Sequence, residues 1–169
     1  MKTTQLLFLA AALFAAGCQT TPLTPSPATK GNVTVNFTNP DDFTDVRESF
    51  GGGTSQYYLN VLTEHVQNVA TRQLAEGQKL TVTFTDIDLA GDFRPGRPDL
   101  NGVRIMKSIY MPRMTLNFQL TGADGKVVKE GERILSDMAY LRNISIIDRD
   151  QPLFYDKALL DSWIRNDFR

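Results

Sequence analysis

The chain has 169 residues and is nearly neutral, with 18 lysines and arginines against 19 aspartates and glutamates. No basic stripe of the kind that binds phosphates is visible along it, so we expect no nucleic-acid partner. A single cysteine excludes an intrachain disulfide, and stability must therefore come from a packed core. Residues 33–169 are enough for one such domain.

The N-terminus is typical of a secretory signal peptide, which we predict over residues 1–17. Lys2 provides the positive start, an apolar block covers residues 6–16, and small residues precede Cys18. This arrangement resembles the lipobox of bacterial lipoproteins, which implies lipid attachment at Cys18. The alternative is cleavage by the general signal peptidase, because Ala15 stands where a lipobox more often carries leucine. The apolar block is shorter than the roughly 20 residues that span a bilayer.

Residues 18–32 are predicted to form a tether between the lipid and the folded domain. They are rich in threonine and contain Pro22, Pro25 and Pro27, a composition that buries too little apolar surface to fold. An extended chain at ~3.1 Å per residue would reach roughly 40 Å. Gln19 stands where an aspartate resembles an inner-membrane retention signal. We therefore expect anchoring in the outer membrane of a bacterial envelope, facing the periplasm.

The first half of the domain predicts a strand, a helix and a second strand. Apolar and polar residues alternate over 33–37, which favours a half-buried strand. Thr54 or Ser55 is placed to cap the helix that follows. The apolar face of this helix consists of Leu59, Leu62, Val66, Val69 and Leu74. Alternation returns over 80–85, which predicts the second strand.

Three further strands are predicted before the chain closes. Residues 103–110 and 114–120 favour the third and fourth, and the Asp-Gly pair at 124–125 indicates a hairpin. The fifth strand, over 127–135, carries charges on both faces. Charge of this kind is typical of an edge strand, because it discourages pairing with other molecules.

A final helix is predicted over residues 153–168, where Leu160, Ile164 and Phe168 recur at four-residue spacing. We predict a first strand, a helix, a run of strands and a closing helix. This order indicates an α+β fold, a two-layer sandwich in which a largely antiparallel sheet carries both helices on one face.

Four segments resemble a known family. They are VNFTNPDDFTDVR (35–47), TDIDLAGDF (85–93), DGKVVKEGERILSD (124–137) and YDKALLDSWIRNDF (155–168). Together they are similar to the bacterial lipoprotein family catalogued as domain of unknown function 3016. The resemblance covers nearly the whole domain and implies an envelope protein of Gram-negative bacteria. It implies no activity, and no catalytic residue is carried over from it.

One cluster of charged residues is a candidate site. Asp86, Asp88 and Asp92 follow the second strand, and Arg94 and Arg97 come soon after. A strict period of two would turn the first two carboxylates into the core, where unpaired charges are very costly. We therefore expect a bulge or a strand end near residue 85, which returns the apolar role to residues 87 and 89.

The cluster has two interpretations. In the one we favour, the aspartates cap turns and pair with nearby arginines. In the other, the loop formed by Asp86, Asp88, Asp92, Arg94 and Arg97 binds a small ligand, a divalent ion or a partner. The EF-hand pattern is not met, because alanine occupies one ligand position and the distal glutamate is missing. We assign no metal site and expect no cofactor.

Catalytic residues are not indicated. His65 is the single histidine and lies in the middle of a predicted helix, where we expect a structural residue. No Gly-x-Ser-x-Gly elbow is present. We therefore expect a lipid-anchored protein that is not an enzyme and that binds an envelope partner through a sheet edge or the 86–104 loop. The alternative is small-ligand or ion binding in that loop. An exposed apolar patch near the loop favours a partner, and a concave pocket lined by Asp86, Asp88 and Arg97 favours a ligand.

Overall fold

The computed structural model describes residues 28–96, 98–100, 102–142 and 151–168. The predicted signal peptide, Cys18, the tether up to residue 27 and Arg97 lie outside these residues. The strands are β1 (Ala28–Lys30), β2 (Val33–Phe37), β3 (Lys79–Asp88), β4 (Asp92–Phe93), β5 (Arg104–Ile105), β6 (Arg113–Thr121) and β7 (Val127–Ser136). The helices are α1 (Gln56–Ala70) and α2 (Phe154–Asp167). In the described part of the chain, no helix is long and apolar enough to cross a membrane.

The main sheet has five strands in the order β1-β2-β3-β6-β7. Strands β2 and β3 are parallel and are connected through α1, and the other three pairings are antiparallel. One hydrophobic cluster contains the inward side chains of the sheet and the buried faces of both helices. The predicted α+β sandwich, with a largely antiparallel sheet and both helices on one face, is therefore confirmed.

The structure confirms three predictions made from local sequence: a helix cap, a hairpin turn and an edge strand. Ser55 caps α1 by accepting a hydrogen bond from the Tyr58 amide at 3.1 Å. The turn at residues 124–125 connects β6 to β7, and Gly125 has the positive φ of 79° that this turn requires. Strand β7 lies at the edge of the sheet, as its charges predicted.

The predicted tether extends too far into the domain. Ala28–Lys30 form β1 and pair with β2, and Gly31 makes the turn between them at φ 61°. The polar composition concealed this strand because main-chain bonds hold it rather than apolar burial. A side-chain bond from Gln67 on α1 to the Ala28 carbonyl, at 2.8 Å, adds a further contact. The folded domain therefore begins at or before residue 28.

The predicted third strand over 103–110 is wrong for most of its length. Only Arg104–Ile105 form a strand, β5, and it pairs with β4 in a separate two-stranded sheet. The residues after it turn back instead, with the Tyr110 amide bonded to the Lys107 carbonyl at 2.8 Å. Helix α1 also ends at Ala70, before the predicted Leu74, which still packs against the core from the following turn.

Candidate binding cleft at the carboxyl ends of β2 and β3

A cleft of about 320 Å³ lies where the parallel strands β2 and β3 end. The loop after β2 continues along β3, because the Asp45 amide bonds to the Ile87 carbonyl at 2.9 Å and the Leu89 amide bonds to the Asp45 carbonyl at 3.1 Å. The first residue of β6, Arg113, lies opposite Asp88 at the same end of the sheet. The cleft is lined by Thr44, Asp45, Arg47, Asp88, Gly91, Asp92, Ile109, Tyr110, Met111 and Arg113.

A bulge in β3 gives the charged residues their orientation. The pairing of β3 with β6 shifts register between Phe84 and Asp86, as the cost of burying carboxylates predicted. Phe84 and Ile87 are consequently both fully buried, and Leu89 is buried beyond them. The side chains of Asp86 and Asp88 are thereby kept out of the core.

Asp86 has a structural role. Its Oδ1 accepts a hydrogen bond from the Thr44 amide at 2.8 Å, and its Oδ2 accepts one from the Thr44 hydroxyl at 3.0 Å. These bonds hold the loop after β2 against β3. Asp86 does not line the cleft. The turn-capping interpretation of the cluster therefore fits this residue.

Asp88 and Asp92 both line the cleft, in different settings. Burial raises the pKa of the Asp88 carboxyl, and the neighbouring Asp45 raises it further. Asp92 is exposed, and its Oδ1 accepts a bond from the adjacent Phe93 amide at 2.7 Å. Arg94 is exposed and does not line the cleft. The structure thus brings together two of the predicted site residues, Asp88 and Asp92.

An ion pair that the sequence reasoning missed joins Asp45, which lines the cleft, to Arg104. One guanidinium nitrogen of Arg104 donates to Asp45 Oδ2 at 2.8 Å and to the Gly91 carbonyl at 2.9 Å, and the other donates to the Arg47 carbonyl at 3.0 Å. The guanidinium also lies 4.5 Å from the centre of the Phe93 ring. Arg104 therefore ties together the loops that follow β2 and β3.

The other carboxylate oxygen of Asp45 is not used in the ion pair with Arg104. Asp45 Oδ1 is buried and has no hydrogen-bond partner among the described residues. Buried polar atoms in native proteins nearly always have a partner, so an unsatisfied one in the wall of a cleft is a reason to consider a bound donor.

A buried carboxyl supports the cleft from behind. Asp156, in the first turn of α2, is 2% exposed and accepts a bond from the Ala90 amide at 3.0 Å. Burial raises the pKa of Asp156 to about 7, although the Ala90 bond and the charge of Arg104 lower it in part. The residue fixes the start of α2 to the loop after β3. Its signal in the sequence is its spacing from Leu159, Leu160 and Trp163, which places it on the apolar face of the helix.

The described residues do not include a set of side chains arranged to bind a metal ion. Over the described ranges, no group of three or more histidine, cysteine, aspartate or glutamate side chains is arranged to hold a metal ion. His65 lies away from the cleft, where its Nε2 is 2.7 Å from Asp161 Oδ1 and connects α1 to α2. This pairing fits the expected structural role of the histidine.

Exposed apolar side chains lie at the cleft and on the two segments next to it. Ile109, which lines it, is 70% exposed, and Val103 and Met106 of the same segment are 45% and 41% exposed. The turn after β7 packs against this segment, because the Tyr140 hydroxyl donates to the Lys107 carbonyl at 2.7 Å. That turn contributes Met138, which is 77% exposed. We call Val103, Met106, Ile109 and Met138 the apolar rim.

Comparison with known families decides the relationship of the chain. The family model described as "Protein of unknown function (DUF3016)" matches residues 31–166. The chain belongs to this DUF3016 family. No curated protein and no solved structure matches it. The predicted resemblance is therefore confirmed, and the family description names no activity.

The DUF3016 match includes every part of the cleft. It begins in the turn between β1 and β2 and ends in α2, so the cleft, its supporting carboxyl and the apolar rim lie within the family region. The DUF3016 domain has the exposed apolar side chains near the loop that were expected to favour a partner. The pocket expected for a ligand is met only in part, because Asp88 lines the cleft, Asp86 does not, and Arg97 lies outside the described residues.

Proposed function

We propose that this DUF3016 protein is a non-enzymatic envelope module, anchored through lipid at Cys18 in the outer membrane and facing the periplasm, that binds another protein at the mouth of the cleft. The observation that carries this proposal is the apolar rim beside a cleft of mixed charge. Scattered exposed apolar residues are ordinary, whereas a group of them at one site is typical of an interaction surface.

The chemistry of the rim and of the cleft suits a protein partner. Burying one large aliphatic side chain contributes about 1.5–3 kcal/mol, so Ile109 is the natural anchor. The charged side chains in the cleft walls would orient the partner. Asp88 and Asp92 attract cationic groups. Arg47 and Arg113 attract anionic ones. The Arg104 bonds hold the two loops in place before binding, which lowers the entropic cost of ordering them.

A substitution in the apolar rim tests the proposal. We expect Ile109→Asp to weaken retention of the partner by roughly tenfold or more, because it removes buried aliphatic area and adds a charge. The measurement is quantitative co-purification from detergent-solubilised membranes, with the retained proteins identified by mass spectrometry.

The matched control is Ala123→Asp, which places the same charge at an exposed position in the hairpin turn, at the far end of the sheet. Both variants are expected to keep the melting temperature of the unmodified protein. If Ile109→Asp retains the same proteins in the same amounts as Ala123→Asp, the rim is not the binding surface.

Small-ligand binding in the cleft is a second candidate, favoured by the unsatisfied Asp45 Oδ1. Together with Asp88 it would receive an ammonium or amide donor, while Arg47 and Arg113 would receive a carboxylate. The probes are free arginine, calcium and magnesium at millimolar concentration. We expect arginine to raise the melting temperature of the protein and to lose this effect in Asp88→Asn. No shift with any of the three would rule the candidate out.

A further inference from the structure

We infer that β7 and α2 form a second docking surface, which takes up an extended segment of a partner protein as a sixth strand of the sheet. The segment has lysine or arginine at alternate positions and apolar residues between them. This surface is separate from the cleft and does not depend on the function proposed for it.

The first supporting observation is the free edge of β7. The strand has ten residues and, within the described ranges, pairs on one side only, with β6. A long edge strand presents backbone N–H and C=O groups that are ready to pair with another chain. Peptide recognition by strand addition uses these groups for affinity and side-chain pockets for specificity.

The second observation is a groove of about 360 Å³ between that edge and α2. Leu135 of β7 and Leu159 and Trp163 of α2 give it an apolar floor, and Ser162 and Asn166 lie at its side. An added strand would continue the alternation of the sheet, so every second side chain would enter this groove. Apolar side chains fit those positions.

The third observation is the charge of the opposite face. Glu130 and Glu132 are exposed on the outer side of β7, opposite Gln119 and Asn117 of β6. Directly opposed residues of opposite charge stabilise a pair of antiparallel strands. Basic residues at the remaining alternate positions of the added strand would therefore lie against these two carboxylates.

The two basic side chains on the inner side of β7 both pair with one carboxylate of α2. Lys129 donates to Asp167 Oδ1 at 2.9 Å, and Arg133 donates to Asp167 Oδ2 at 2.8 Å. The Trp163 indole donates to the same Oδ2 at 2.7 Å. These bonds fix the edge strand to α2, so the groove exists before any partner arrives.

A second copy of this chain fits the edge poorly. If two β7 strands paired antiparallel about Gly131, each Glu130 would face the Glu132 of the second copy, and each Lys129 would face an Arg133. Centring the pair on Glu132 would bring the two Glu132 side chains together. Like charges directly opposite are destabilising. These are the two symmetric antiparallel registers that pair the most residues of β7. The charges therefore disfavour self-pairing and favour a basic partner.

Trp163 provides a direct test, because it lines the groove and is the single tryptophan of the chain. A short synthetic peptide that alternates lysine or arginine with valine or leucine is titrated into the full chain while tryptophan emission is recorded. We expect a saturable change that weakens as salt is added. The same peptide with glutamate in place of its basic residues should produce none.

Charge reversal makes the test specific. The double variant Glu130→Lys/Glu132→Lys should bind the basic peptide roughly tenfold more weakly and bind the acidic peptide instead. Ile109→Asp should bind the basic peptide as the unmodified protein does, which separates this surface from the cleft. The inference is overturned if the basic peptide gives no saturable change or if both peptides bind equally well. It is also overturned if sedimentation shows a dimer that the double variant dissociates, because the occupant is then a second copy.

Discussion

Replacing Arg104 with leucine is expected to destabilise the domain by about 3 kcal/mol. The side chains of Arg104 and Asp45 are only 10% and 14% exposed, so the substitution leaves a carboxylate with little access to water. It also removes the donors of the Gly91 and Arg47 carbonyls. Breaking one side of a buried ion pair costs more than the pair itself contributes, because the remaining charge has no compensation. Urea unfolding, followed by circular dichroism, gives the free energy.

Two further variants separate this explanation from a general loss of positive charge. Arg94→Leu removes an exposed arginine and should change the unfolding free energy by less than about 0.5 kcal/mol. Asp45→Asn, combined with Arg104→Leu, should recover part of the loss, since no uncompensated charge remains. A loss below about 1 kcal/mol in Arg104→Leu, with no recovery in the double variant, would contradict the role given to this pair.

The second large effect concerns Asp156 and pH. Its folded-state pKa of about 7 lies above its ordinary value of 3.8, so the folded protein binds the proton more tightly than the unfolded chain. The stabilisation from this proton is complete below pH 3.8 and is lost as pH rises through 7. The variant Asp156→Asn cannot ionise. We therefore expect its unfolding free energy, relative to that of the unmodified protein, to increase by about 2 kcal/mol between pH 5 and pH 8.

The measurement is the unfolding free energy of both proteins at the two pH values. Asp88 also has a raised pKa, but it is present in both proteins and its contribution largely cancels in the difference. Asp156→Ala serves as a second variant. It leaves the buried Ala90 amide without an acceptor and should cost about 1–3 kcal/mol. A difference between Asp156→Asn and the unmodified protein that stays constant with pH would contradict the raised pKa.

The parts of the fold that were predictable are those that rest on apolar burial. The alternation over β2, β3 and β6 and the apolar faces of α1 and α2 give the core directly. The bulge in β3 followed from a single energetic argument, that Asp86 and Asp88 could not both be buried. Strands β1, β4 and β5 were missed or misplaced because main-chain pairing, rather than a hydrophobic pattern, holds them.

The site was predictable only in part, and the reason is distance along the chain. Asp88 and Asp92 were found because they are neighbours in a distinctive acidic segment. The pairing of Asp45 with Arg104 joins residues that are 59 positions apart, and the bond from Ala90 to Asp156 spans 66. One sequence without its fold does not indicate such partners. The acidic residue on the apolar face of α2 was the one local sign of the second contact.

Site-specific photocrosslinking in intact cells tests the central claim most directly. A photoreactive amino acid is placed at position 109 in the apolar rim or, as a control, at position 123 in the hairpin turn, and the membranes are then fractionated. We predict a discrete crosslinked partner in the outer-membrane fraction from position 109 and none from position 123, together with loss of lipid labelling in Cys18→Ser. Crosslinks from position 123 but not from 109, or lipid labelling that survives Cys18→Ser, would contradict the proposed function.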